Sequence, residues 1–214
     1  MITVWGEGRG FRVVWLLEEM GLAYRLRDVD LLAGVEHDAE FLGVNPAGFI
    51  PALTDGAVTM VESIAIMEYL LARHGARGLV PEVADPGFAL YQQFLHLGEA
   101  GLAGTLFIAA VSPWLAPEGE RDNWGARFSK RLFESRRTLV ERQLARSPWL
   151  AGERFTAADI SVVWALQFAR RQNQATFTPA ETAYVARASA REGYKRAMAA
   201  CHATRRWVER IGGD

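Results

Sequence analysis

The sequence predicts a two-domain chain: an α+β domain built on a mixed four-stranded sheet, followed by an all-α helical bundle. Three observations carry this. Strand and helix signals alternate over residues 1–75. Glycine and proline then break the pattern through 76–87. From Phe88 onward the strand signals fade and long helical periods take over. The expected boundaries are therefore a sheet domain over 1–75, a linker over 76–87 and a helical domain over 88–214, which a chain of 214 residues can accommodate.

Taken in order, Ile2 to Trp5 is a short apolar strand, and Gly6-Glu7-Gly8-Arg9-Gly10 a flexible turn. Val13, Leu16, Leu17 and Met20 give the next helix an apolar face, with Glu18 and Glu19 outside and Gly21 as its stop. Tyr24 to Val29 reads as a second strand and Glu36 to Leu42 as a weak helix. Ile50–Leu53 and Val58–Val61 flank Asp55-Gly56, a hairpin signal. Ile64, Met67 and Leu71 then repeat at helical spacing, so a helix starts near Ser63.

Beyond the linker, Phe88, Tyr91 and Leu95 begin one helix, and Trp124, Phe128 and Leu132 mark the core face of another. Gly98, Gly101 and Gly104 fall inside the first of these, where each costs up to about 1 kcal/mol relative to alanine. Close packing, a kink beside a ligand cleft and dimer packing are the available reasons. Thr156 and Asp159 form a capping box, Phe155 and Ile160 a hydrophobic staple, and Ile160, Val163, Trp164 and Phe168 a buried stripe.

Composition narrows the function. Half of the residues are hydrophobic and 23% are charged, an ordinary globular balance. A net charge of −1 announces neither nucleic acid nor anionic lipid as a partner. The lone Cys201 permits no intrachain disulfide and fits a reducing, cytoplasmic setting. The four histidines are scattered without ligand spacing, so no metal is expected. No basic leader precedes an apolar core at the N-terminus, and no apolar run of membrane-spanning length is expected.

Residues 45–66 carry the chemistry. Pro46 and Pro51 bracket Ala47-Gly48 and exclude helix. A cis Ile50-Pro51 bond would turn the Ile50 backbone outward toward a ligand's main chain. Only about 5–6% of such bonds are cis, so spacing alone favours trans. Ser63 at the helix start reads either as an N-cap or as a donor to a ligand carboxylate, with Glu62 as partner for an ammonium group.

Asn45-Pro46-Ala47-Gly48-Phe49-Ile50-Pro51-Ala52-Leu53, followed by Glu62-Ser63-Ile64-Ala65-Ile66-Met67-Glu68-Tyr69-Leu70, resembles the cytosolic glutathione S-transferase family. The resemblance implies a thioredoxin-like sheet domain and a cis Pro51. It also implies that Ile50 pairs with the cysteinyl backbone of glutathione and that Glu62-Ser63 holds its γ-glutamyl end. Leu150 to Ile160 resembles the capping motif of the family's helical domain.

The family's reaction is attack by glutathione's thiolate on a small hydrophobic electrophile. Gly8-Arg9-Gly10-Phe11-Arg12-Val13 resembles the family's Ser-x-x-Arg-Val opening, but Gly10 stands where the serine would be. No Tyr, Ser or Cys lies in residues 4–15, which also argues against disulfide-forming relatives. The expected substitutes are the Phe11 backbone N–H, the close approach that Gly10 permits, and the charge of Arg9 or Arg12. Glu7 is expected to point away from the sulfur or to pair with an arginine. Phe49 cannot anchor the glycine carboxylate, and His37 is the candidate replacement. The resemblance further implies a homodimer, with Glu99 reaching the partner subunit's ligand, and an interdomain electrophile pocket lined by Phe107, Trp114 and Leu115. The competing reading is a glutathione-binding or scaffold protein with little conjugating activity.

Overall fold

The computed structural model describes residues 1–31 and 34–202 and divides into two compact units. The first comprises Met1–Arg77 together with the described residues from Ala190 onward. The second is Gly78–Ser189.

In the first unit, β1 (Ile2–Trp5) lies parallel to β2 (Tyr24–Arg27), joined by the crossover helix α1 (Phe11–Met20). β1 also pairs antiparallel with β3 (Ala52–Asp55), which forms a hairpin with β4 (Val58–Val61). The sheet order is β2-β1-β3-β4, the mixed four-stranded arrangement expected of a thioredoxin-like domain. Gly56 takes a left-handed φ of 60° in the hairpin turn.

β2 stops two residues before the expected Val29. Its last residue, Arg27, pairs with Trp5 at the end of β1, and the Arg27 carbonyl accepts from Gly6 N–H at 2.8 Å. The weak helix is displaced too. A 3₁₀ turn spans Val35–His37, and α2 runs Ala39–Val44 because the Asp38 carboxylate caps Phe41 N–H at 3.0 Å. That bond, together with Arg27, lowers the Asp38 pKa. Phe41 is fully buried and stacks on Trp5 with ring centroids 6.4 Å apart.

α3 (Ser63–His74) is tied to the hairpin through Asp55, which accepts from Tyr69 Oη at 3.1 Å and meets His74 Nε2 at 2.9 Å. The His74 bond leads the causes that lower the Asp55 pKa. The start of α3 follows the end of β4 after the single residue Glu62.

Within the expected helical domain of 88–214, the described residues from Ala190 onward pack with the first unit. α9 (Glu192–Ala200) packs on α1. Tyr194 stands edge-on to Phe11 at 5.5 Å and to Trp15 at 4.9 Å. Arg191 grips Glu19 with two bonds of 2.9 and 2.7 Å, and Arg196 Nε meets Glu18 at 2.7 Å. A Cβ at Gly193 would come within 2.6 Å of the Glu19 carboxyl carbon, so a larger residue there would push the Glu19 carboxylate aside. The two acids placed outside α1 are thus the ones that receive α9.

In the second unit, α4 (Phe88–His96) continues through a π-helical stretch, Leu97–Ala103, into α5 (Gly104–Leu115). Gly98 serves close packing: its Cβ would lie 2.2 Å from Ser161 Oγ. Contrary to the sequence expectation, Phe88–Leu115 is long and apolar enough to cross a membrane by length and composition. Half of its most apolar window is buried within the unit, as in a core helix. On α6 (Trp124–Leu144) the buried face carries Ala126, Ser129, Phe133, Arg137 and Val140, so the expected core residues Trp124 and Phe128 are exposed instead. They stack on each other at 4.9 Å.

α7 (Ala157–Arg171) opens on the expected capping box. Asp159 accepts from Thr156 N–H at 2.8 Å, Leu150 N–H at 3.0 Å and Tyr184 Oη at 2.9 Å. A second buried carboxylate, Glu181 on α8 (Pro179–Ser189), caps Thr178 N–H at 2.9 Å and accepts from Arg137 Nε at 2.6 Å.

Candidate functional site

The site begins at the turn before β3. Asn45 is buried and folds the turn on itself: its Nδ2 donates to Phe49 O at 2.6 Å and its Oδ1 accepts from Ala47 N–H at 3.1 Å. Gly48 takes φ 67° to close the loop, and the Ile50–Pro51 peptide is cis. Ile50 precedes Ala52, the first residue of β3 in the ladder, so its backbone lies outside the sheet pairing. The role of Asn45 was not read from the sequence, although the spacing of Asn45, Pro46 and Gly48 is the signal of a turn stapled by an asparagine.

The glycine-rich turn packs on this loop. A Cβ at Gly6 would lie 2.3 Å from Ile50 Cγ2, and one at Gly10 would lie 3.2 Å from Pro51 Cβ. Gly6 also holds φ 84°. The backbone of the turn here approaches the Ile50 and Pro51 side chains more closely than a Cβ would allow.

Helical structure begins earlier than expected, as a 3₁₀ turn at Gly8–Gly10. This corrects the role expected of Phe11. Its N–H is turned back on the Gly8 and Arg9 carbonyls, not outward to a sulfur. Gly10 N–H likewise donates to Glu7 O at 3.0 Å. Arg9 sits half-buried on the same turn. Glu7 is buried, and the Cys201 thiol is pushed up by its own burial, with Glu7 and Glu18 adding to the effect.

The other wall is the start of α3. Glu62 is exposed and held at φ 71°, ψ 108°, a left-handed backbone that costs a non-glycine residue about 1–2 kcal/mol. Strain of this kind collects at ligand clamps. Ser63 is buried, and its Oγ accepts from Arg12 Nη1 at 3.2 Å. Arg12 is itself fully buried. Its clue in the sequence is a lone charge inside the apolar run Phe11–Leu17.

His37 ends the 3₁₀ turn before α2, is 81% exposed in its side chain, and lies 3.8 Å from Glu36. Val35 of that turn approaches the Gly48 position and, like Ile50, packs on the core of Trp5, Val29, Phe41 and Ala52. The fold therefore brings Gly8–Gly10, Ile50–Pro51 and Glu62–Ser63 together with Arg12 in one unit, and sets the His37 turn beside the loop that leads into Ile50. Phe107, Trp114 and Leu115 lie on α5 of the second unit, all exposed. Glu99 lies on the π-helical stretch, half-buried.

These features define a thioredoxin-like sheet unit, carried on a chain with a second, helical unit. Residues 2–72 match the family model described as glutathione S-transferase, N-terminal domain, and residues 122–210 match glutathione S-transferase, C-terminal domain. The chain belongs to the glutathione S-transferase family. It is 33% identical over 156 residues to glutathione S-transferase 3 of Zea mays, covering 69% of this chain and 68% of that protein. It is 28% identical over 167 residues to glutathione S-transferase GstB of Escherichia coli K12, covering 76% and 80%. It also superposes on the theta class glutathione S-transferase of the citrus canker pathogen Xanthomonas axonopodis pv. citri, solved with glutathione bound. That match has a TM-score of 0.74 and 28% identity, and covers 92% of this chain and 96% of that one.

Proposed function

We propose that this protein binds glutathione through its sheet unit and uses the thiolate on a small hydrophobic electrophile. The observation that carries the reading is the pairing of the Ile50–Pro51 edge with Glu62, strained and exposed, at the mouth of α3. The cysteinyl backbone lies along Ile50. The γ-glutamyl carboxylate meets Ser63 and the positive end of α3, and its ammonium group meets Glu62. The sulfur then faces the Gly8–Gly10 turn. The glycine end runs toward Phe49, with His37 as the candidate contact for its carboxylate.

A thiol with a pKa near 8.5 is only a few per cent ionised at neutral pH. Gly10 offers no hydroxyl, and Phe11 N–H is turned inward, so thiolate stabilisation falls to the helix dipole and to Arg9. The thiol proton leaves to solvent, and the sulfur bonds to the electrophilic carbon as the leaving group departs. Phe107, Trp114 and Leu115 offer the apolar surface for that electrophile. The protein works as a cytoplasmic homodimer, with Glu99 directed to the partner subunit.

Calorimetry with glutathione, followed by titration of thiolate absorbance in the complex, tests this reading. Binding with a thiol pKa below that of free glutathione is the expected result. Binding with an unshifted thiol supports the second reading, a glutathione-binding protein with little conjugation. Absence of binding overturns both.

A further inference from the structure

Burying a guanidinium completely is costly unless its donors are used, and a fold retains such a group where its charge or geometry has a task. Arg12 sits on α1 and Ser63 opens α3, yet Arg12 Nη1 donates to Ser63 Oγ at 3.2 Å across 51 positions of sequence. Both side chains are buried. Arginine has no acceptor lone pair, so this bond can run in one direction only. Ser63 Oγ is the acceptor, and its single proton is left to point away from Arg12. Glu62, the residue before it, is the exposed, strained clamp residue at the same mouth.

We infer that Arg12 is a positioning residue for the amino-acid head of the ligand. Its guanidinium orients the Ser63 hydroxyl as a donor toward the γ-glutamyl α-carboxylate and places a fixed positive charge behind that hydroxyl. The inference rests on the glutathione reading above and deepens it. It reassigns the family's opening arginine in this chain: Arg12 acts on the carboxylate end of the tripeptide, through Ser63, and not on the sulfur. A charge reached through an oriented hydroxyl acts on a carboxylate but has little to offer a ligand without one.

The test compares two probes by calorimetry: glutathione, and γ-aminobutyryl-cysteinylglycine, which lacks only the α-carboxylate. The readout is the ratio of the two affinities. Wild type is expected to prefer glutathione. Arg12→Gln is expected to reduce that preference about tenfold, equivalent to about 1.4 kcal/mol, while leaving affinity for the analogue nearly unchanged. Arg12→Lys is expected to restore part of the preference, because it returns the charge without the planar fork. Ser63→Ala is expected to reduce the preference to the same degree, and Arg12→Gln added to Ser63→Ala to reduce it little further.

A purely structural arginine would lower thermal stability and weaken both probes equally, and an unchanged ratio in Arg12→Gln overturns the inference. Should Arg12→Gln fail to fold, Ser63→Ala and Arg12→Lys decide it. An unchanged ratio in Ser63→Ala, or full preference retained in Arg12→Lys, overturns it equally. Wild type that binds neither probe overturns the glutathione reading itself, a result distinct from glutathione binding with no dependence on Arg12.

Discussion

At the scale of single residues, the second unit places two buried carboxylates, Asp159 and Glu181, at helix starts and gives each its donors. Asp159 is completely buried and accepts from Thr156 N–H, Leu150 N–H and Tyr184 Oη. Burial nevertheless dominates and raises its pKa to about 6, against an ordinary value of 3.8, with the four hydrogen-bond contributions pulling the other way. The sign of the consequence follows from linkage. Between those two values the folded chain holds the proton that the unfolded chain has released. Stability from this group is therefore fully present below the unfolded pKa and is lost as pH rises toward the folded one. The span corresponds to about 3 kcal/mol. Asp159→Asn removes the titration and also puts an amide where donors already point, so it destabilises throughout. Its penalty relative to wild type is expected to be larger at about pH 4 than at about pH 7, measured by urea unfolding at both. A penalty independent of pH would show that Asp159 does not titrate in this window.

At the scale of elements, α9 shows what periodicity could not reveal. It falls in the helical region expected after Phe88, but nothing local says that it packs on α1. That is decided by contacts such as Arg191–Glu19, separated by 172 positions. The same holds for the Arg12–Ser63 bond and the Arg137–Glu181 pair, each joining residues on different elements. By contrast, the Asp55-Gly56 hairpin, the Thr156–Asp159 box and the α3 start were legible, because each is set by residues within a few positions of one another. The α6 face was misread because Trp124 and Phe128 look like core by residue type, while the buried face holds Ala126, Ser129 and Arg137. Of the candidate site, the Ile50–Pro51 and Glu62–Ser63 motifs could be read. The inward turn of Phe11 N–H could not, because it depends on a 3₁₀ start three residues upstream. The docking of α9 yields its own expectation. Tyr194 fills the angle between Phe11 and Trp15, and Phe11 directly follows the glycine-rich turn. Tyr194→Ala should cost about 2–4 kcal/mol and speed amide exchange along α1, read by thermal unfolding and hydrogen exchange. Unchanged exchange in α1 would mean that α9 lends it no support.

At the scale of the molecule, the glutathione contacts proposed within one chain fall in the first unit: the Gly8–Gly10 turn, His37, Ile50, Glu62 and Ser63. That unit is closed by a helix from the far end of the sequence. A ligand that binds only the folded form of one unit stabilises that unit by mass action, by about 2.7 kcal/mol at a hundredfold excess over its dissociation constant. Exchange protection then rises where opening would destroy the site, and only there. With saturating glutathione and no electrophile, amides of α1, the start of α3 and α9 are expected to slow together. α9 is included because α1 cannot open without losing Tyr194 and the Arg191–Glu19 grip. Amides of α7 near Asp159, in the second unit, are expected to exchange at an unchanged rate. Hydrogen exchange read by mass spectrometry, with and without glutathione, resolves these segments. Protection gained at α7 but not at α1 and α3 would place the ligand elsewhere. Protection gained at α1 and α3 without α9 would break the coupling assigned to the C-terminal helix.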